Sequence, residues 1–194
     1  WLLLLAQVTA GFPSYTVVIH HFSYITDEGF PVAVAASVLS TMALSGVAAR
    51  IIWGLLVERY PVRYCVAVSN VGNGLALAIL LVGLHLHFTP MLFLFAMVYG
   101  LNTGGAIVLT SVAAASYFGR DFVGSIRGTM SAITTGCTAF GPVLASMVYD
   151  SQGTYFKATV VALALFLISA IVVLFATPPT KSQQSSFTQG HDYL

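Results

Sequence analysis

Ser45-Gly46-Val47-Ala48-Ala49-Arg50-Ile51-Ile52-Trp53-Gly54-Leu55-Leu56-Val57-Glu58-Arg59-Tyr60-Pro61-Val62-Arg63 decides how the chain reads. The stretch begins inside an apolar run that starts near Phe30 and ends in a cluster of charge. Arg50 stands eight residues before Glu58, which on a helix rising about 1.5 Å per residue is roughly 12 Å inside the apolar layer. A cation at that depth costs a few kcal/mol or more, so it faces a cavity or a partner rather than lipid. Gly46 and Gly54 flank it at four residues either side, so they share its helical face and leave room for a guanidinium. Two readings stay open: a functional arginine in cleared space, or one that reaches a carbonyl or neighbouring helix for packing alone.

Composition sets the class. Hydrophobic residues make up 58% of the 194 residues, charged residues 7%, and the mean hydropathy is +0.91. A soluble domain carries about 25% charge, so this chain is read as a polytopic, all-α membrane protein. Its net charge of +1 and the lack of any basic stripe argue against a nucleic-acid partner. Cys65 and Cys137 have neither metal-site spacing nor the pattern of a disulfide framework. The chain opens on Trp1 and runs straight into leucines without methionine, basic region or cleavage site. The simplest expectation is that an N-terminal portion is missing.

Charges and breakers divide the sequence into six spans, about 1–25, 31–57, 64–84, 91–116, 123–148 and 156–177, each near the bilayer-crossing length. A polar tail, 178–194, follows Pro178-Pro179 and is expected to be disordered. Alternate loops carry Arg59 with Arg63, Arg120 with Arg127, and Lys181, whereas the opposite loops carry Lys157 alone. The basic side is expected to be cytoplasmic, the C-terminus included. Gly11-Phe12-Pro13-Ser14-Tyr15 is expected to break or kink the first span, and Gly124, Gly128, Ala132 and Gly136 to let another helix approach the fifth. Gly100 and Gly104 repeat that spacing in the fourth. On texture, spans one, two and four read as cavity-facing, three and six as peripheral.

No catalytic or nucleotide motif is present, nor a pair of intramembrane carboxylates, so the chain does not read as an enzyme, and no metal or cofactor is expected. His85 and His87 lie on a turn without Cys, Asp or Glu beside them. His20, beside His21 in the outer third of the first span, has a titration range suited to proton coupling, or is simply an interfacial histidine wetted by headgroups. Tyr15 and Tyr99 lie deeper than the tyrosines at span ends. Both are candidates for lining a cavity, and Tyr15 with Asn102 and Thr103 reaches a depth comparable to that of Arg50. One cation with hydroxyl and amide donors suits a small anion, and a carboxylate fits the arginine fork. No acidic residue within the spans is placed to neutralise Arg50.

Arg50 to Arg59 resembles the loop motif of the major facilitator superfamily, as it recurs between helices 8 and 9 of the C-terminal half. Tyr117-Phe118-Gly119-Arg120, then Gly124-Ser125-Ile126-Arg127-Gly128, is similar to the helix 10–11 connection of the bacterial monocarboxylate-porter and oxalate/formate-antiporter branch. Gly141-Pro142 and the run from Tyr149 to Tyr155 continue the likeness. The resemblance covers about residues 1–177 and implies helices 7–12 of a twelve-helix transporter, built as 3+3 inverted repeats, with a six-helix N-terminal half as partner. It makes Arg50 the residue that engages a substrate carboxylate, and Gly54, Glu58, Arg59 and Arg127 a gating motif. Gly46 stands where those transporters often carry an aspartate, and Glu58 where the motif usually has one.

The expectation is therefore half of a secondary transporter for a small organic anion, a mono- or dicarboxylate, working by alternating access in the bacterial inner membrane. Its rivals are an exporter of a neutral or cationic compound, with Arg50 structural, and a self-contained six-helix scaffold or pore.

Overall fold

The computed structural model describes residues 2–118 and 123–176, and of residues 117, 118, 123 and 125–127 only the backbone. The gating-motif side chain of Arg127 and the tail from 177 onward lie outside the described residues. Every regular element described is a helix: α1 Leu2–Asp27, α2 Val32–Arg59, α3 Val62–His85, α4 Thr89–Thr103, α5 Ala106–Phe118, α6 Val123–Thr138, α7 Phe140–Gln152 and α8 Phe156–Phe175. They make six membrane-crossing segments, because α4 runs on into α5 and α6 into α7. This follows from the composition, since in a bilayer only a helix satisfies every backbone polar group within its own segment.

The two internal breaks have local causes. Between α4 and α5 stand Gly104 and Gly105, where the chain passes over α2. A Cβ on Gly104 would lie 2.5 Å from the Cα of Gly46, so Gly104 must be bare for the helices to cross, whereas a Cβ on Gly46 would make only ordinary contacts at 3.6 Å or more. Between α6 and α7, Pro142 has no N–H to continue the ladder, and the helix steps at Ala139. The break expected around Pro13 does not form: α1 is continuous through it. Pro13 removes one N–H from the ladder, and the hydroxyls beside it stay within the helix: that of Ser14 donates to the Ala10 carbonyl at 2.7 Å and that of Thr16 to the Phe12 carbonyl at 3.0 Å.

The core lies where α1, α3, α4 and α8 meet, around Ile25, Leu77, Leu80, Phe95, Tyr99 and Phe166, each 0–1% exposed. α2 packs chiefly on α4, through Ala35, Val38, Ala49 and Trp53. The Trp53 indole donates to the Leu101 carbonyl at 2.8 Å. This corrects the texture reading. α3 is the most buried span and α2 is among the least. α8 is not merely peripheral: Ser169, fully buried, accepts from Asn70 and donates to the Ala6 carbonyl, tying three helices together. The glycines of the fifth span are a second correction. Gly124, Gly128 and Gly136 have nothing within 4 Å of a built Cβ, so that face meets no helix among the described residues. α1 instead meets the fifth span at Thr138 and Gly141.

Candidate functional site

A cavity of about 540 Å³ opens between α1, α3, α5 and α6. Its size falls in the range of small-molecule sites, and so does its makeup, mostly apolar walls with a few convergent polar groups. α1 supplies Gln7, Ser14 and Tyr15, α3 supplies Ser69, Asn70 and Asn73, and α6 supplies Ser131, Thr134 and Thr135. Thr103 and Thr110 complete it from the fourth span. Among the described residues that line it, none carries a formal charge.

α3 places its polar face here by simple periodicity. Asn70 and Asn73 are one turn apart, and each is at least 94% buried. Asn73 accepts from the Thr103 hydroxyl at 3.1 Å, leaving its amide nitrogen without a partner among the described residues. Asn70 donates to Ser169 at 3.0 Å and keeps its oxygen free in the same sense. Ser69 donates to the Asn102 carbonyl at 3.1 Å and so anchors α3 to α4 beside the cavity.

The residues singled out from the sequence divide into several groups. Tyr15, half exposed, and Thr103 line the cavity. Tyr99 does not: it is fully buried among Phe95 and Phe166, with its hydroxyl 3.4 Å from the Ser14 carbonyl. Asn102 turns its side chain onto α3 at Gly72, with its amide donating to the Val98 carbonyl at 2.7 Å. Arg50 lies on the exposed side of α2, one residue past fully buried Ala49, and has no hydrogen bond or ion pair among the described residues. Gly54 has open space around it, but Gly46 serves the crossing with α4 rather than clearing room for the guanidinium. Glu58 and Arg59 are exposed at the end of α2.

His20 is held between elements. Its Nε2 donates to the Pro142 carbonyl at 3.1 Å and its ring stacks on Tyr155 at 5.0 Å. Tyr155 stacks in turn on Tyr149 at 4.4 Å. In the loop before α8, burial first and then the carboxylates of Asp27 and Asp150 push the Tyr155 hydroxyl above its ordinary range. His21 donates from Nδ1 to the Val17 carbonyl at 2.8 Å, and its buried Nε2 has no partner among the described residues. Gln7, Ser69, Asn70 and Asn73 were missed by the sequence reading. Their signal was present: carboxamides one turn apart inside an apolar span are unusual enough to mark a polar face.

The sequence profile of the Major Facilitator Superfamily matches residues 3–192. With six apolar membrane-crossing helices, this places the chain in that superfamily, whose members are membrane transporters and not enzymes. No curated protein sequence matches the chain.

Proposed function

We propose that this chain is the C-terminal half, helices 7–12, of a secondary transporter that moves a small organic anion by alternating access. The substrate class is a mono- or dicarboxylate, as in the monocarboxylate-porter and oxalate/formate branch, and the setting a bacterial inner membrane with the C-terminus cytoplasmic. One observation carries the reading. Arg50 is a permanent cation deep within α2, exposed on that helix and without a partner among the described residues. In an apolar layer such a charge is sustained by an anion or by a water-filled path. The N-terminal half would face it, and Gly54, Glu58, Arg59 and Arg127 would gate the cytoplasmic side. Tyr15 and Thr103 would hold the uncharged part of the substrate, with Tyr99 and Asn102 supporting their helices. His20 would serve proton coupling, since bonding through Nε2 leaves Nδ1 for a proton.

The test is transport per folded molecule of the full-length protein in proteoliposomes, with labelled carboxylates. Arg50→Lys keeps the charge but loses the planar fork, and a charge-assisted bond contributes about 1.5–3 kcal/mol, so affinity falls roughly tenfold or more. Arg50→Ala abolishes anion transport while insertion persists. Carboxylate flux by the Ala variant at the wild-type rate would remove Arg50 as the anchor.

A second reading rests on the cavity itself. Its described lining is uncharged and offers carboxamides and hydroxyls, which suits a neutral polar solute, with Arg50 structural. Under that reading Asn73→Ala, not Arg50→Ala, eliminates transport.

A further inference from the structure

A second concavity lies on the other side of α1. α7 is drawn onto α1 at Gly141, where a Cβ would stand 2.6 Å from the Phe12 carbonyl oxygen, and at Pro142, whose carbonyl takes the bond from His20. It touches α8 only sparsely. The wedge left between them is a groove of about 690 Å³. Leu144, Met147 and Val148 of α7 wall one side, and Val161 and Leu165 of α8 the other.

The groove is graded in polarity. α7 and α8 are consecutive, so their lining residues approach the shared loop from both sides. Away from that loop the lining is aliphatic, whereas the loop end brings Ser151, Gln152 and Lys157 to the rim. Among the described lining residues Lys157 alone is charged. Gln152 has no hydrogen-bond partner among the described residues, and its amide is free to donate. α8 is long and apolar enough to cross a membrane, as is the span Gly128–Gln152 that α7 completes, which puts this rim at headgroup level.

We propose that the groove is a binding site for one anionic phospholipid. An acyl chain lies between α7 and α8, and the headgroup phosphate sits at Lys157 and Gln152. The match is in order as well as in kind: apolar length, then a neutral donor and a cation at the end that meets the interface. The site is independent of what the protein transports.

The test places the purified full-length protein in phosphatidylcholine nanodiscs doped with phosphatidylglycerol or phosphatidylcholine carrying a photoreactive group on the acyl chain. Label is expected on Met147, Val148, Val161 and Leu165, with phosphatidylglycerol about fivefold above phosphatidylcholine. That ratio corresponds to roughly 1 kcal/mol for one basic residue near the headgroups. Lys157 is exposed in the first turn of α8, so Lys157→Gln tests the charge with little risk to folding, and it should bring phosphatidylglycerol down to the phosphatidylcholine level. Val161→Trp, at a half-exposed wall position, should lower both labels. Equal labelling of Val68 and Leu75 on the exposed face of α3 would overturn the site, as would an anionic preference that survives Lys157→Gln. Crosslinks between two copies of the chain through the groove would overturn it as well.

Discussion

Asn70 of α3 donates its amide to the hydroxyl of Ser169 on α8 at 3.0 Å, and both side chains are more than nine-tenths buried. Ser169 sends its own proton to the Ala6 carbonyl of α1 at 2.7 Å. Lipid tails are as apolar as leucine, so helices in a bilayer are held by packing and by such bonds rather than by exclusion of water. Ser169→Ala leaves the Asn70 amide unpaired and should cost about 1–2 kcal/mol. The check is a double-mutant cycle with Asn70→Ala on thermal unfolding of the purified protein. Strict additivity of the two losses would show that the bond contributes nothing.

The α2–α4 crossing makes the effect of a methyl group depend on position. At Gly104 a Cβ meets the backbone of Gly46, which has no flexible end to move aside. Gly104→Ala should destabilise by about 1–3 kcal/mol through overpacking. Gly54, four residues past Arg50 on the same helix, has open space. There the same change should be neutral, or stabilise by up to about 1 kcal/mol through helix propensity. Thermal midpoints that move the same way for both variants would contradict the crossing described.

Tyr155 should make stability sensitive to high pH. Its ordinary value is near 10, and burial with the nearby carboxylates of Asp27 and Asp150 raises it in the folded protein. Below the unfolded value both states are neutral and nothing changes. As pH climbs past that value the unfolded chain ionises first, so the contribution of Tyr155 is lost toward its folded value. Tyr155→Phe should flatten the fall of the thermal midpoint above pH 10 while leaving neutral pH unaffected. An unchanged slope would mean that the ring, not the hydroxyl, is all that matters there.

Orientation can be read with two reporters. One fused after Lys181 should be cytoplasmic and one inserted at Gly29 should lie outside, because the basic residues cluster on alternate loops. Both on one side would exclude an odd number of crossings between them, and with it the five spans that lie there.

Six crossings were legible because apolar length and loop charge are properties of the one-dimensional chain. What faces what was not. The texture rule put α3 at the periphery because glycine and hydroxyl content marked other spans, yet Asn70 and Asn73 face the cavity. Counting depth brought Tyr15, Asn102 and Thr103 to one level, but depth is not azimuth. Adjacent helical positions differ by about 100°, so Thr103 reaches the cavity while Asn102 packs on Gly72. Pro13 misled for another reason: it removes a single N–H from the ladder and α1 runs on through it, with the hydroxyls of Ser14 and Thr16 spent on carbonyls of their own helix.

Those hydroxyls have a further effect. Ser14, Thr110 and Thr134, all on the cavity wall, each spend their proton on a carbonyl of their own helix, at 2.7, 2.7 and 2.8 Å. Their lone pairs are what these three hydroxyls offer an occupant, so they accept at rest while the Asn73 amide nitrogen beside them donates. A turn about χ1 releases each proton inward and reverses that preference without moving any backbone atom. The electrical character of this cavity is therefore set by rotamers as much as by residue type, and the same wall can greet two chemistries in succession.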